Sequence, residues 1–262
     1  MTGERQIDVA LEGRLIEVNG QPVEVLEAGH GDPLVFLHGG GYVEGVDFLV
    51  GLADRFHVYA PLLPGYGRSE PNLALTSREA VVDHLRDVLD VLGVGTVHLA
   101  GHSLGGWRAA NFAARYPERV DRLVLASPFG MNVPDHPIFN MMAATPAERR
   151  EVLTSDPNVW AGRIPIGPDP DPAFDAARTK EHQAMGRFSP GPADAALPEI
   201  LPTITAETLV LWGEGDRLIP VAHAAEWVKL LPKATLRTFA GTGHLLFHER
   251  PEAVEAIAEF LQ

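Results

Sequence analysis

A serine flanked by glycines, Gly101-His102-Ser103-Leu104-Gly105 with Gly106 behind it, is the stretch of this chain best suited to chemistry. A reactive hydroxyl needs a tight, exposed turn, and small neighbours are required at both ends because a Cβ there would crowd adjacent backbone. Residues 96–100 before it read as a buried strand and residues 107–114 after it as a helix. A serine at that junction stands clear of the sheet, at the positive end of a helix dipole where developing negative charge is favoured. Its hydroxyl attacks poorly until a base removes its proton, and an imidazole base needs a carboxylate to hold its tautomer and stabilise its cation. Two later loops offer these groups. Asp216 lies in Trp212-Gly213-Glu214-Gly215-Asp216-Arg217-Leu218-Ile219-Pro220 and His244 in Gly241-Thr242-Gly243-His244, each directly beyond a strand pattern. Taken singly, the serine reads as incidental to a glycine turn, Asp216 as a helix cap and His244 as a surface histidine. Taken together at successive strand ends, they point to nucleophilic catalysis.

Other residues compete for these roles. Glu214 stands two positions from Asp216 and is the rival acid. His244 and His248 are four apart, a metal-ligand spacing on a helix, but Leu245-Leu246-Phe247 between them lacks the glutamate of a zinc-protease motif and no metal site is expected. His38 reads as a structural hydrogen-bonding residue, and His102 as packing beneath the serine turn, with contact to substrate as its alternative. Gly39-Gly40-Gly41 does not read as a phosphate loop, because no Lys-Ser/Thr follows it.

The elements that must position these groups are short. Residues 15–18 and 23–26 alternate around Asn19-Gly20, an antiparallel hairpin signal. Continuous apolar runs at 33–37, 57–60, 96–100, 122–126 and 208–212 follow, with a further strand at 235–239. Helical spacing at 77–92, behind a Thr76/Ser77 cap, and at 251–261 alternates with them, which predicts a mostly parallel doubly wound α/β sheet. The alternation is interrupted between residues 128 and 206, a stretch holding 13 of the 22 prolines. A structureless loop of that length is uncommon in a compact chain. The expected organisation is therefore a core of residues 1–127 and 207–262 with a helical lid at 128–206, helices falling at 146–153 and 173–187. The lid's Phe129, Met131, Phe139, Met141, Met142, Trp160, Met185 and Phe188 are expected mostly to form its own small core, with some left to wall a pocket.

Composition narrows the classes. The chain has 262 residues and a formal charge of -14, which leaves no basic field for a phosphate backbone, so nucleic acid is not an expected partner. It has no cysteine, which excludes disulfides, thiolate metal sites and a thiol nucleophile. Glu4, Arg5, Asp8 and Glu12 stand within the first 13 positions where a signal peptide would be apolar, and no membrane-length apolar run follows, so a cytoplasmic location is expected.

With these motifs in place, the chain resembles the α/β-hydrolase superfamily over nearly all its length outside the lid. The resemblance rests on the serine turn, on His38-Gly39-Gly40 after the third strand, on Leu63-Pro64-Gly65-Tyr66-Gly67-Arg68-Ser69 after the fourth, and on Gly243-His244 followed by Glu249-Arg250-Pro251-Glu252. It implies the α/β-hydrolase fold with its N-terminal antiparallel hairpin and inserted lid. It also implies Ser103 as nucleophile, His244 as general base, Asp216 as the orienting acid, and the N–H groups of Leu104 and Gly40, or of Gly41 in its place, as the oxyanion hole. No cofactor or metal is implied, and the partner is a small-molecule substrate. The serine sets the chain apart from superfamily dehalogenases and epoxide hydrolases, which carry aspartate there. Three activities remain open: cleavage of a carboxylic ester or similar carbonyl compound; cleavage of a carbon-carbon bond in an aromatic ring-fission product, its carboxylate clamped by Arg163, Arg178 or Arg187; and ligand binding by an intact triad without turnover.

Overall fold

A computed structural model describes residues 10–42, 45–160 and 172–262. The hairpin forms as its turn residues require: Asn19 and Gly20 take positive φ values of 51° and 76°, and β1 (Glu12–Val18) pairs antiparallel with β2 (Gln21–Ala28) with Val18 opposite Gln21. Then come β3 (Asp32–Leu37), β4 (Phe56–Pro61), β5 (Val97–His102), β6 (Val120–Ala126), β7 (Glu207–Gly213) and β8 (Ala234–Phe239). They build an eight-stranded sheet in the order β1-β2-β4-β3-β5-β6-β7-β8, parallel from β4 onward.

The apolar runs are continuous because the sheet is covered on both faces. Along the central strands, Val35, Leu37, Leu99, Leu123, Leu125, Val210 and Trp212 face one core cluster. Their neighbours Leu34, Phe36, Ala100, Val124, Ala126, Leu209 and Leu211 face the other. Helices α1 (Arg78–Leu92) and α2 (Leu104–Arg115) cover the first face, and the last helix covers the second. Ser77 caps α1, its side chain accepting from the Ala80 N–H, and Gly93 ends it in the left-handed conformation.

Between β6 and β7 lie α3 (Pro146–Leu153), α4 (Pro172–Phe188) and the single turn α5 (Leu197–Ile200). Thr145 and Glu148 close a reciprocal capping box at the start of α3. The expectation of a separate lid core is not met: Met131, Leu153 and Leu197 join the cluster on the α1/α2 face of the sheet, and Ala184 and Phe188 of α4 pack with Leu62, Tyr66 and Leu75. The inserted apolar side chains are too few to exclude water by themselves and bury against the core instead. Arg163 lies outside the described residues, as does the Trp160 side chain. After β7 come α6 (Ala222–Leu230), the single turn α7 (Leu246–Glu249) and α8 (Pro251–Leu261). Among the described residues no helix is long and apolar enough to cross a membrane.

Strand order makes the site. The chain leaves β3 to one side to form β4, then returns to the other side of β3 to form β5, with Leu37 opposite Gly101. Loops following β3 and β5 therefore diverge at neighbouring strand ends, the switch point where open α/β sheets bind ligands. Loops after β6, β7 and β8 open on the same edge because those strands are parallel. A Cβ on Gly105 would run into the Leu37 carbonyl, whereas one on Gly95 would meet nothing. Gly105→Ala is thus expected to lower stability in urea by about 1–3 kcal/mol, the usual cost of overpacking, and Gly95→Ala to change it by under about 0.5 kcal/mol. Equal midpoint shifts in the two variants would contradict this packing.

Candidate active site

Ser103 sits between β5 and α2 with φ 55° and ψ -119°. Its N–H donates to the Ala126 carbonyl at 2.9 Å, and its own carbonyl accepts from Phe129 N–H at 3.0 Å. The glycines are needed where the sequence has them: a Cβ on Gly101 would strike the Gly105 carbonyl, and one on Gly106 would lie 2.9 Å from Pro128 Cβ. Only 6% of Ser103 is exposed, and that surface opens into a cavity of about 590 Å³.

Asp216 and His244 meet across the β7 and β8 loops. Asp216 Oδ2 accepts from His244 Nδ1 at 2.7 Å, with both side chains buried. The other carboxylate oxygen, Oδ1, accepts from the N–H groups of Leu218 and Ile219 at 2.9 and 2.8 Å. Asp216 is thus both the turn-capping residue and the partner of the imidazole. Trp212 closes that turn, its indole N–H donating to the Ile219 carbonyl at 2.9 Å, and Gly215 N–H donates to Thr242 O at 2.8 Å, stitching one loop to the other. A carboxylate bonded to Nδ1 leaves Nε2 of His244 as the proton acceptor. Ser103 and His244 line the same cavity, and among the described residues no hydrogen bond joins them; such bonds are often long before substrate binds.

Glu214, the rival acid, is exposed and accepts from the Thr238 hydroxyl at 2.8 Å, away from His244. His248 lines the cavity from α7, and among the described residues no group of three or more His, Asp or Glu side chains is arranged to hold a metal ion. His102 does not pack beneath the turn as expected. It lines the cavity, its Nε2 donates to the His244 carbonyl at 2.9 Å, and its ring lies 4.7 Å from the His244 ring. Burial, the neighbouring imidazole and His248 hold its pKa well below the ordinary histidine value. The cause is positional: as the last residue of β5, His102 emerges at the edge where the β8 loop crosses.

Gly40 and Leu104 also come together, a Cβ on Gly40 falling 3.3 Å from the Leu104 side chain. Among the described residues neither N–H has a partner within the chain. The flexible end of the Met185 side chain, on α4, lies over Gly40, 2.8 Å from where a Cβ would stand. Sequence reasoning did not single out Glu249 or Arg108 by role. Glu249 accepts from Gly243 N–H at 3.0 Å and from Ser155 N–H at 3.0 Å, holding the His244 loop to the segment after α3. Arg108 is buried in α2, and the signal available was a lone charge inside Trp107-Arg108-Ala109-Ala110.

The family described as Alpha/beta hydrolase family matches residues 34–257, and the chain belongs to it. Among curated relatives the chain is similar to an uncharacterized protein of Mycobacterium tuberculosis, 31% identical over 260 residues that span 88% of this chain and 75% of the relative. It is also 27% identical over 260 residues to a 2-hydroxy-6-oxo-6-phenylhexa-2,4-dienoate hydrolase of Burkholderia cepacia, covering 88% of this chain and 87% of that one. Among solved structures it superposes on a bacterial membrane phospholipase A with a TM-score of 0.79 at 26% identity, covering 96% of this chain and 86% of the other.

His38 is wholly buried, its Nδ1 donating to the Gly39 carbonyl at 2.8 Å and its Nε2 accepting from Leu63 N–H at 3.2 Å. That is the structural role expected of it. Burial, with the Arg108 charge nearby, lowers its pKa from 6.5 to about 3. Between those values the unfolded chain binds a proton that the folded one refuses, so stability is full above about pH 6.5 and falls as pH drops toward 3. In urea titrations between pH 7 and 5, His38→Gln is expected to flatten that dependence by about one proton; an unchanged slope would contradict a neutral, buried His38.

Proposed function

We propose that this chain is a serine hydrolase that cleaves a carboxylic ester or similar carbonyl compound through an acyl-enzyme. The observation that carries the reading is the buried Asp216–His244 hydrogen bond of 2.7 Å, opening on the same cavity as a serine held in the strained strand-to-helix turn. Ser103 Oγ attacks the carbonyl carbon while His244 Nε2 takes its proton. Negative charge passes to the carbonyl oxygen, which accepts from the N–H groups of Gly40 and Leu104. Collapse of the adduct breaks the bond to the leaving alcohol, which receives the proton from His244, and water repeats the sequence to release the acid. No step requires a metal or cofactor.

Cavity chemistry supports an apolar substrate. Phe129, Phe139, Met141, Met142 and Met185 from the inserted segment and Phe36, Phe48 and Phe247 from the core line it. The ring-fission alternative needs a cation for the substrate's carboxylate. Arg187 is exposed and does not line the cavity, and Arg178, which does, faces buried Glu181 at 3.6 Å. Arg163 lies outside the described residues; of the two described candidates, a cation already compensated is a poor clamp, which supports the ester reading over the activity in the name of the Burkholderia relative.

Treatment with a fluorophosphonate is expected to place one adduct on Ser103, and Ser103→Ala to abolish it. His244→Ala and Asp216→Asn should each lower kcat by several orders of magnitude, with Glu214→Gln near wild type. Turnover is measured on activated esters beside a phenyl-substituted hydroxy-oxo-dienoate. Faster cleavage of the dienoate would replace the ester reading, and labelling without turnover of either substrate would favour a binding protein.

The inserted segment is read as a selectivity element, since Ser103, His244, Asp216 and both N–H donors lie outside it. Its contacts fall on parts of the substrate away from the scissile bond, where binding energy separates one acyl group from another. Phe139→Ala and Met142→Ala are expected to lower kcat/KM for an octanoate ester about tenfold and to leave an acetate ester within about twofold. Equal losses on both esters would end this account.

A further inference from the structure

The loop that carries Gly40 is held from behind by three side-chain donors, one on each of three successive carbonyls. The guanidinium of Arg108 donates to the His38 carbonyl. The His38 ring donates to the Gly39 carbonyl at 2.8 Å, and the Tyr66 hydroxyl donates to the Gly40 carbonyl at 3.1 Å. In a trans peptide the carbonyl of one residue points opposite to the N–H of the next, and the described chain has no cis peptide. Holding the carbonyls of 38, 39 and 40 toward the protein therefore turns the N–H groups of 39, 40 and 41 the other way.

His38 and Tyr66 belong to loops already marked by their motifs. Arg108 does not: it lies on α2, one turn past Ser103, and is only 5% exposed. Among the described residues no carboxylate pairs with it. Burying a guanidinium without a counter-charge is unfavourable, and Phe112, one turn further along the same helix face, is fully buried, so an apolar side chain packs there. What arginine adds over any apolar residue is a charge-assisted donor with the reach to cross from α2 to the loop after β3. We propose that Arg108 is a positioning residue: it fixes the 38–39 peptide that enters the loop, and from that fixed peptide the His38 ring holds the next one, which turns the Gly40 N–H toward the substrate oxygen before substrate arrives. This rests on the reading of Gly40 as an oxyanion donor.

The test compares Arg108→Met, which keeps bulk and loses the donor, with Arg108→Lys, which keeps a cationic donor. Active sites are counted by fluorophosphonate titration, so that rates refer to folded enzyme. On an activated acetate ester, the methionine variant should lose about tenfold to a hundredfold in kcat, less than deletion of an oxyanion donor outright, with KM within about twofold. Affinity for a phenylboronic acid, whose serine adduct carries a tetrahedral oxyanion, should fall by the same factor. The lysine variant should recover much of both. A residue that merely supports folding would lower the thermal midpoint and the number of titratable sites while leaving kcat per site and boronate affinity unchanged, and that result would overturn the proposal. Should the methionine variant fail to fold, Arg108→Leu, which also lacks the donor, carries the comparison, and wild-type kcat per site and boronate affinity in it would overturn the proposal. Wild-type protein inert to esters and fluorophosphonate would defeat the functional reading by itself. In that case a crystal structure of the variant decides the present point: a His38 carbonyl that keeps its direction without Arg108 overturns it, and a turned peptide supports it.

Discussion

Ser103 holds φ 55° and ψ -119°, a backbone state that a residue with a side chain keeps only when its surroundings leave no alternative. The surroundings here are the pairing of β5 with β3 and β6, the helix α2 that starts at the next residue, and glycines at 101, 105 and 106 whose missing Cβ atoms let three backbone segments touch. The strain is local and the bonds that oppose its release are many: Ser103 N–H to Ala126, Ser103 carbonyl to Phe129, and the first turn of α2 to Trp107. Everything else at the site is arranged around a hydroxyl that cannot retreat into the sheet.

The partners of that hydroxyl depend on loops that hold one another. Asp216 is locked by two backbone donors of its own loop and by a tryptophan whose indole closes the turn. His244 is tied to it through the carboxylate, and its loop is tied through Gly243 to Glu249 and through Leu245 N–H to the Leu153 carbonyl. Burial and the Asp156 charge raise the Glu249 pKa, against the effect of the amides it accepts from. The segment after α3 therefore belongs mechanically to the edge that carries Asp216 and His244, although it lies in the insertion by chain order.

The same interdependence explains the cavity. Inserted apolar side chains that find no core of their own divide between the sheet's core and the cavity wall, so cavity shape and fold stability draw on neighbouring residues. Met185 illustrates it, resting on Gly40 while lining the pocket. Such a wall is adaptable, because thioether side chains fill irregular space with little strain.

What could be read from the sequence was local. The Asn19-Gly20 turn, the apolar runs, the capped helix at 77–92 and the glycines around Ser103 are each dictated by short-range sterics and periodicity, and their order along the chain predicts a doubly wound sheet. Candidates at 103, 216 and 244 were legible because parallel strands put every loop that follows a strand on one edge. The structure alone decided between near neighbours: Asp216 and not Glu214 faces His244, because the turn after β7 directs the one inward, capped by its own backbone, and the other toward Thr238. It likewise decided that His102 lies against His244 in the cavity and that Arg108 reaches the loop after β3. Those pairings join residues 142 and 70 positions apart, and their partners are chosen by how strands and helices pack, which no periodicity in a single chain records.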